Sequence, residues 1–145
     1  MRRMTFFAVP FYHFTKSPSH RMSAEDIKQD FESALVKHLL FKSRLRSFLY
    51  GSNTAEAPIR DPDVCALGQW IRERRAGAYA HLSAEMAQLD RLHRRLHEGA
   101  NYLMDLRHHD QAEAGIAGLS FVQPLADQLT SLLTAMQARL QAEAK

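Results

Sequence analysis

Residues 82–103 read LSAEMAQLDRLHRRLHEGANYL. Leu82, Met86, Leu89, His93, Leu96, Ala100 and Leu103 recur in alternating steps of four and three, the seam of a helix that packs inside a bundle. The pattern predicts a helix from about Ala78 to Leu106. Its irregularity is chemical: His93 takes a seam position that a leucine would fill, and His97 lies one turn further on.

Working outward, the preceding segment repeats the anomaly. Ser23 is suited to cap a helix, because its hydroxyl accepts from a free backbone N–H, and Glu25 and Asp26 favour the positive end of the dipole. Ile27, Phe31, Leu35, His38, Leu45 and Phe48 then fall at helical spacing up to about Tyr50, with Gly51 as the stop. His38 stands in the line of core positions. Residues 51–60 carry no periodicity and read as a loop. Asp61 followed by Pro62 predicts a second helix start, with proline where its missing N–H costs nothing. A short helix to about Arg74 then places Cys65 in its first turn, where the dipole favours a thiolate. After the turn His108-His109-Asp110, residues 111–142 carry the stripe Leu119, Val122, Leu125, Leu129, Leu132, Met136 and Leu140. Pro124 is expected to kink or split that helix near Gln123. Three long helices and one short Cys-bearing helix imply an all-α antiparallel four-helix bundle.

Length and composition agree with this picture. The chain has 145 residues, enough for one domain with a core that needs no disulfide. A single cysteine suits a reducing cytoplasm, which is the expected location. No apolar run reaches the roughly 20 residues of a membrane span. Thr5–Phe14 is apolar behind Arg2 and Arg3, but Pro10, Tyr12 and His13 interrupt it and no small-residue cleavage site follows, which argues against an export signal. Residues 1–22 are expected to form a loosely attached arm, and 23–145 the bundle. The net charge of +3 hides an asymmetry: the arm holds Arg2, Arg3, Lys16 and Arg21 and no acid, which leaves 15 Lys and Arg against 16 Asp and Glu in the bundle. So nearly neutral a body excludes a phosphate-backbone binder. The clusters Arg72, Arg74, Arg75 and Arg91, Arg94, Arg95 read as solvated helix faces.

Cys65 is the only cysteine and Trp70 the only tryptophan. His93 and His97, at i and i+4, project from one helix face with Cβ atoms roughly 5–6 Å apart. Two imidazoles so placed can share one zinc at Zn–N distances of about 2.0–2.1 Å, with His38 and the Cys65 sulfur completing a tetrahedron. The bland reading is that a lone histidine on an apolar face is a core residue with a partner, and a lone buried cysteine a small hydrophobe. It must hold at four positions together, leaving imidazoles without an evident partner at about 1–3 kcal/mol each. Other candidates have simpler readings. His81 is too far from His93 to share its ion and reads as surface. His108 and His109 read as a polar turn, Trp70 and Leu67 as core anchors, and Gly68 as a close-approach point. Glu98 and Asp105 are possible acceptors for ligand imidazoles, though solvated surface is their simpler reading.

Three segments carry a resemblance: Lys37-His38-Leu39-Leu40-Phe41-Lys42, Cys65-Ala66-Leu67-Gly68-Gln69-Trp70, and Leu92-His93-Arg94-Arg95-Leu96-His97. In order and spacing they resemble the chemoreceptor zinc-binding domain family, over about residues 30–105, and the Cys-x-Leu-Gly-x-Trp element is the most specific part. The resemblance implies a four-helix bundle with one zinc on His38, Cys65, His93 and His97. It implies a role in bacterial signalling, where family members are joined to chemoreceptors or diguanylate cyclases and respond to zinc or to oxidation of the zinc-bound cysteine by hypochlorous acid. This sequence shows neither a receptor hairpin nor a cyclase domain, so output is expected through a partner or a homodimer. Four protein ligands would leave no open position for substrate, which argues against an enzyme. A zinc-dependent hydrolase and a structural-zinc scaffold for protein–protein interaction are the alternatives.

Overall fold

The computed structural model of the chain describes residues 21–145, and the arm assigned to residues 1–22 lies outside them apart from Arg21 and Met22. The Ser23 hydroxyl accepts from the Asp26 N–H at 3.0 Å while the Asp26 carboxylate accepts from the Ser23 N–H at 3.0 Å, a reciprocal cap that starts α1 (Ala24–Leu49). Gly51, at φ +100°, ends it in a conformation open to glycine at low cost. The inward line of α1 is Ile27, Phe31, Ala34, His38, Phe41, Leu45 and Phe48, all buried.

The heptad-like seam folds as its spacing predicts. Helix α4 (Ser83–His108) buries Met86, Leu89, His93, Leu96, Ala100 and Leu103, and Leu82 is buried just ahead of it. Helix α6 (Leu119–Glu143) packs on α1 and α4 through Val122, Ala126, Leu129, Leu133, Met136 and Leu140. Together with α3 (Ala66–Ala76) these three long helices make the expected all-α bundle, and the described residues contain no strand.

Four local expectations need correction. The segment expected to be an unstructured loop contains a helical turn, α2 (Ala57–Arg60), with Pro58 in its first turn, where its lack of an N–H is harmless. Asp61 does not open the Cys-bearing helix. Its carbonyl accepts from the Val64 and Cys65 N–H groups and its side chain from Asp63, closing a separate turn, so α3 begins one turn later with Cys65 as its N-cap residue. Residues 78–82 form a turn rather than the first turn of α4. Finally, the last segment divides at Gly118, between α5 (Ala112–Ala117) and α6, while Pro124 sits inside α6. Gly118 is in tight tertiary contact: a Cβ there would lie 2.2 Å from the Leu103 side chain. Pro124 removes one bond near a helix start, which does not outweigh that packing.

Candidate metal centre

Three elements converge on the interior between α1, α3 and α4. Cys65 lies at the start of α3, and His93 and His97 on the inward face of α4. One ligand atom from each of these three lies within 4.8 Å of the others, and all three residues are buried. The two Nε2 atoms of His93 and His97 are 3.1 Å apart. Two nitrogens on one tetrahedral zinc would be separated by about 3.3 Å at normal bond lengths. The pair is already spaced for a shared ion.

A further contact decides which nitrogen of His97 is available. His97 Nδ1 lies 2.6 Å from the Ile59 carbonyl oxygen. A carbonyl can only accept, so Nδ1 carries the proton and Nε2 presents its lone pair to His93 and Cys65. Helix α2 is in turn fastened to α4. Arg60 meets Asp105 at 2.7 Å and Glu56 at 3.2 Å, and the Asn101 side chain donates to the Arg60 carbonyl at 3.0 Å. Phe41 of α1 walls the other side of the His97 ring, with centroids 4.5 Å apart.

His38 is not within the 4.8 Å group. It is only 2% exposed, and neither ring nitrogen has a hydrogen-bond partner. It is close enough to His93 for its charge to influence that ring. Two buried, unpartnered nitrogens cost about 1–3 kcal/mol each, a cost that coordination to an ion beside His93 would remove. The grouped donors, two imidazoles and one thiol with a backbone carbonyl behind one ring, are of the kind zinc takes.

The electrostatics keep the imidazoles in the form a metal requires. Burial, with a smaller contribution from Lys42 and opposed by Asp127, pushes His38 down to about 4. Burial, then the neighbouring His97, Arg94 and His38, pushes His93 down to about 3. His97 is lowered by burial against the opposing hydrogen bond to Ile59. All three rings are therefore neutral at pH 7, and metal binding there releases no proton from them.

The approach of α3 depends on Gly68. A Cβ at that position would lie 1.8 Å from the Pro62 carbonyl oxygen and 3.0 Å from Cε1 of His93, so no other residue fits without moving the turn that carries Cys65. Trp70, 3% exposed, and Leu67, fully buried, anchor the helix as expected. The comparisons now bear on this geometry. Residues 38–104 match the family model described as the chemoreceptor zinc-binding domain. The matched span begins at His38 and encloses Cys65, His93 and His97.

Residues 38–104 are thus similar to a chemoreceptor zinc-binding domain. Zinc is the cofactor such a domain takes, and the buried Cys65–His93–His97 group is a place that could hold it. Comparison with curated proteins and with solved structures finds no match. Of the residues considered beside the site, His81 is an exposed partner of Glu143 at 3.4 Å, and His108 pairs with Glu56 at 2.9 Å. Glu98 is exposed and Asp105 serves Arg60 instead of an imidazole. Both thus follow their simpler reading as surface acids, and the acceptor for His97 is the main-chain carbonyl of Ile59. A search for acidic side chains could not have found it.

Asp30 was also missed. Its carboxylate accepts from Trp70 Nε1 at 3.2 Å, Arg74 Nε at 2.8 Å, Arg74 Nη2 at 2.7 Å and Tyr79 Oη at 2.5 Å. Burial alone would raise the Asp30 pKa, but the bonds from Arg74, Tyr79 and Trp70 hold it below the usual carboxylate value. One side chain of α1 thus pins the C-terminal half of α3 and the turn after it.

Proposed function

We propose that this domain is a zinc-responsive regulator in which His38, Cys65, His93 and His97 hold a single zinc ion. Its occupancy, or oxidation of Cys65, sets the output of a bacterial signalling pathway, chemotaxis or cyclic-di-GMP control. The output runs through a homodimer or a partner of the chemoreceptor or diguanylate cyclase class. The observation that carries the reading is the buried convergence of Cys65, His93 and His97, with the unpartnered His38 ring beside it.

Held by these four residues, zinc would tie the start of α3 to α1 and α4 rather than act on a substrate. The protein's own part is to hold three neutral imidazoles in place, to fix the His97 tautomer through Ile59, and to seat Cys65 at the start of α3. The Cys65 sulfur is only 4% exposed as a residue, so an oxidant must wait for the turn at 61–65 to open. Hypochlorous acid would then transfer its oxygen to the thiolate, giving a sulfenic acid and chloride.

Two readings share this site: a sensor whose occupancy changes, and a scaffold that keeps its ion. Protein purified without added metal should contain one zinc per chain. Cys65→Ala, His38→Ala, His93→Ala and His97→Ala should each weaken binding by at least about a thousandfold, a fraction of the roughly 10–16 kcal/mol that structural zinc sites contribute. Hydrogen exchange before and after chelation separates the readings. Faster exchange at residues 57–68 supports the sensor, and unchanged protection after the metal has left refutes it. Full binding by the His38→Ala variant would remove that residue from the set.

A further inference from the structure

Helix α1 has a second stripe, turned to solvent away from the core line that contains His38. Val36, Leu39, Leu40 and Tyr50 are 63%, 60%, 42% and 58% exposed, and Lys28, Glu32, Ser43 and Arg46 are exposed between and beyond them. Positions 28, 32, 36, 39, 43, 46 and 50 advance in steps of four and three, one face of a helix, here facing outward. An exposed leucine alone is ordinary. Val36, Leu39 and Tyr50 lie on this line, some 33 Å long at 1.5 Å per residue, and Leu40 flanks it, so that together they form an exposed interaction surface.

The charges on the stripe say what it fits. Glu32 lies one heptad before Leu39 and Arg46 one heptad after it; Lys28 lies eleven residues before and Tyr50 eleven after. About Leu39 the charged and aromatic ends of the stripe are therefore mirrored, while Val36 and Ser43 fall opposite positions 42 and 35. If two copies of α1 cross antiparallel at Leu39, a two-fold axis runs through the leucine pair, and each Glu32 faces the partner's Arg46. The same operation sets each Lys28 against the partner's Tyr50 ring, a cation–π arrangement. Parallel pairing would instead put glutamate on glutamate and arginine on arginine. Within the described residues neither Glu32 nor Arg46 has an ion-pair partner, and the Arg46 guanidinium rests over its own Tyr50 ring at 5.4 Å.

We propose that the exposed face of α1 is the homodimer interface, an antiparallel pairing of two α1 helices centred on Leu39, with reciprocal Glu32–Arg46 contacts. This gives the homodimer named above a definite surface, and it stands whether or not the zinc site behaves as a sensor. It also leaves the metal ligands clear, because His38, about 100° round the helix from Leu39, is buried toward the core.

Sedimentation of the full chain over a range of concentrations tests the pairing, with zinc content and helical circular dichroism recorded for every variant. A single helix pair is a small interface, so the wild type should dimerise in the micromolar range. Leu39→Glu, at a position already exposed, should raise the dissociation constant by at least about a hundredfold while helix and zinc content stay unchanged, since two buried carboxylates would face each other on the axis. Glu32→Arg alone should raise it roughly tenfold, and less so in high salt. The double exchange Glu32→Arg with Arg46→Glu should restore wild-type affinity, which a merely apolar contact would not require. A wild type that stays monomeric, a dimer indifferent to Leu39→Glu, or a double exchange as weak as the single would each overturn the proposal. The first of these would leave residues 1–20 or another protein as the stripe's occupant.

Discussion

The two ends of α3 are held by different chemistry. Its C-terminal half is pinned to α1 by Asp30, which gathers Trp70, Arg74 and Tyr79 in direct hydrogen bonds. The end with Cys65 has no comparable buried bond. It rests on the close approach of Gly68 to Pro62 and His93, and on Asp63, whose pairs with Arg72 and Arg94 are about half exposed and contribute little. One end is complete in the protein alone. The other presents a sulfur and two nitrogens within reach of one another, and a third ring with no partner. On the proposed reading α3 is fixed at one end by the protein alone and held at the other, which carries the cysteine, by its ion.

Acid should separate the two ends most strongly. In metal-free protein, His38 and His93 have folded pKa values near 4 and 3, below the unfolded value of about 6.5. Above pH 6.5 neither state binds the proton and these groups do not affect stability. Below it the unfolded chain takes up protons that the folded chain refuses, so stability falls as pH drops from 6.5 toward 4. At about 1.4 kcal/mol per pH unit for each ring, the two together amount to about 4 kcal/mol by pH 5. Asp30 behaves differently. Its lowered pKa gives stability that is present above an unfolded value near 3.8 and lost only as pH falls through the folded one. Urea melts of the metal-free protein at pH 7 and pH 5 would show the loss. Exchange mapping at pH 5 should find the 57–68 region loosened before 70–79.

Filling the close approach should come next in size. Gly68→Ala places a methyl group 1.8 Å from a backbone carbonyl. The turn must retreat, at about 3 kcal/mol, and zinc affinity should fall with it because Cys65 moves away from His93 and His97. Chelator-competition titration alongside thermal melting would record both. The smallest of the three effects is expected from Asp30→Asn, about 2 kcal/mol, since the amide keeps some acceptor capacity but leaves the Arg74 charge without its partner. Here zinc affinity should change far less than stability. An equal loss of both would erase the distinction between the two ends.

The parts of this architecture legible in the sequence were those set by local chemistry. Ser23 with Asp26 starts a helix wherever it occurs, and the 82–103 spacing can bury only one face. The histidines were visible because each interrupts such a face. What escaped was set by contacts between distant segments. The break at Gly118 answers to Leu103, and α2 is too short to carry a period. Asp30 carries no signal of its own in the sequence, because its three partners come from residues 70–79. The position of Cys65, one turn earlier relative to its helix than expected, follows from the Asp61 carbonyl closing a turn of its own.

The bond from His97 to Ile59 has a further implication. Since the acceptor belongs to the main chain, no single codon change can delete it, and acidity cannot neutralise it. The ring's orientation is governed by where the polypeptide runs rather than by which residue it bears. Any force on that imidazole is therefore handed directly to the path of the chain between the first and second long helices of the molecule.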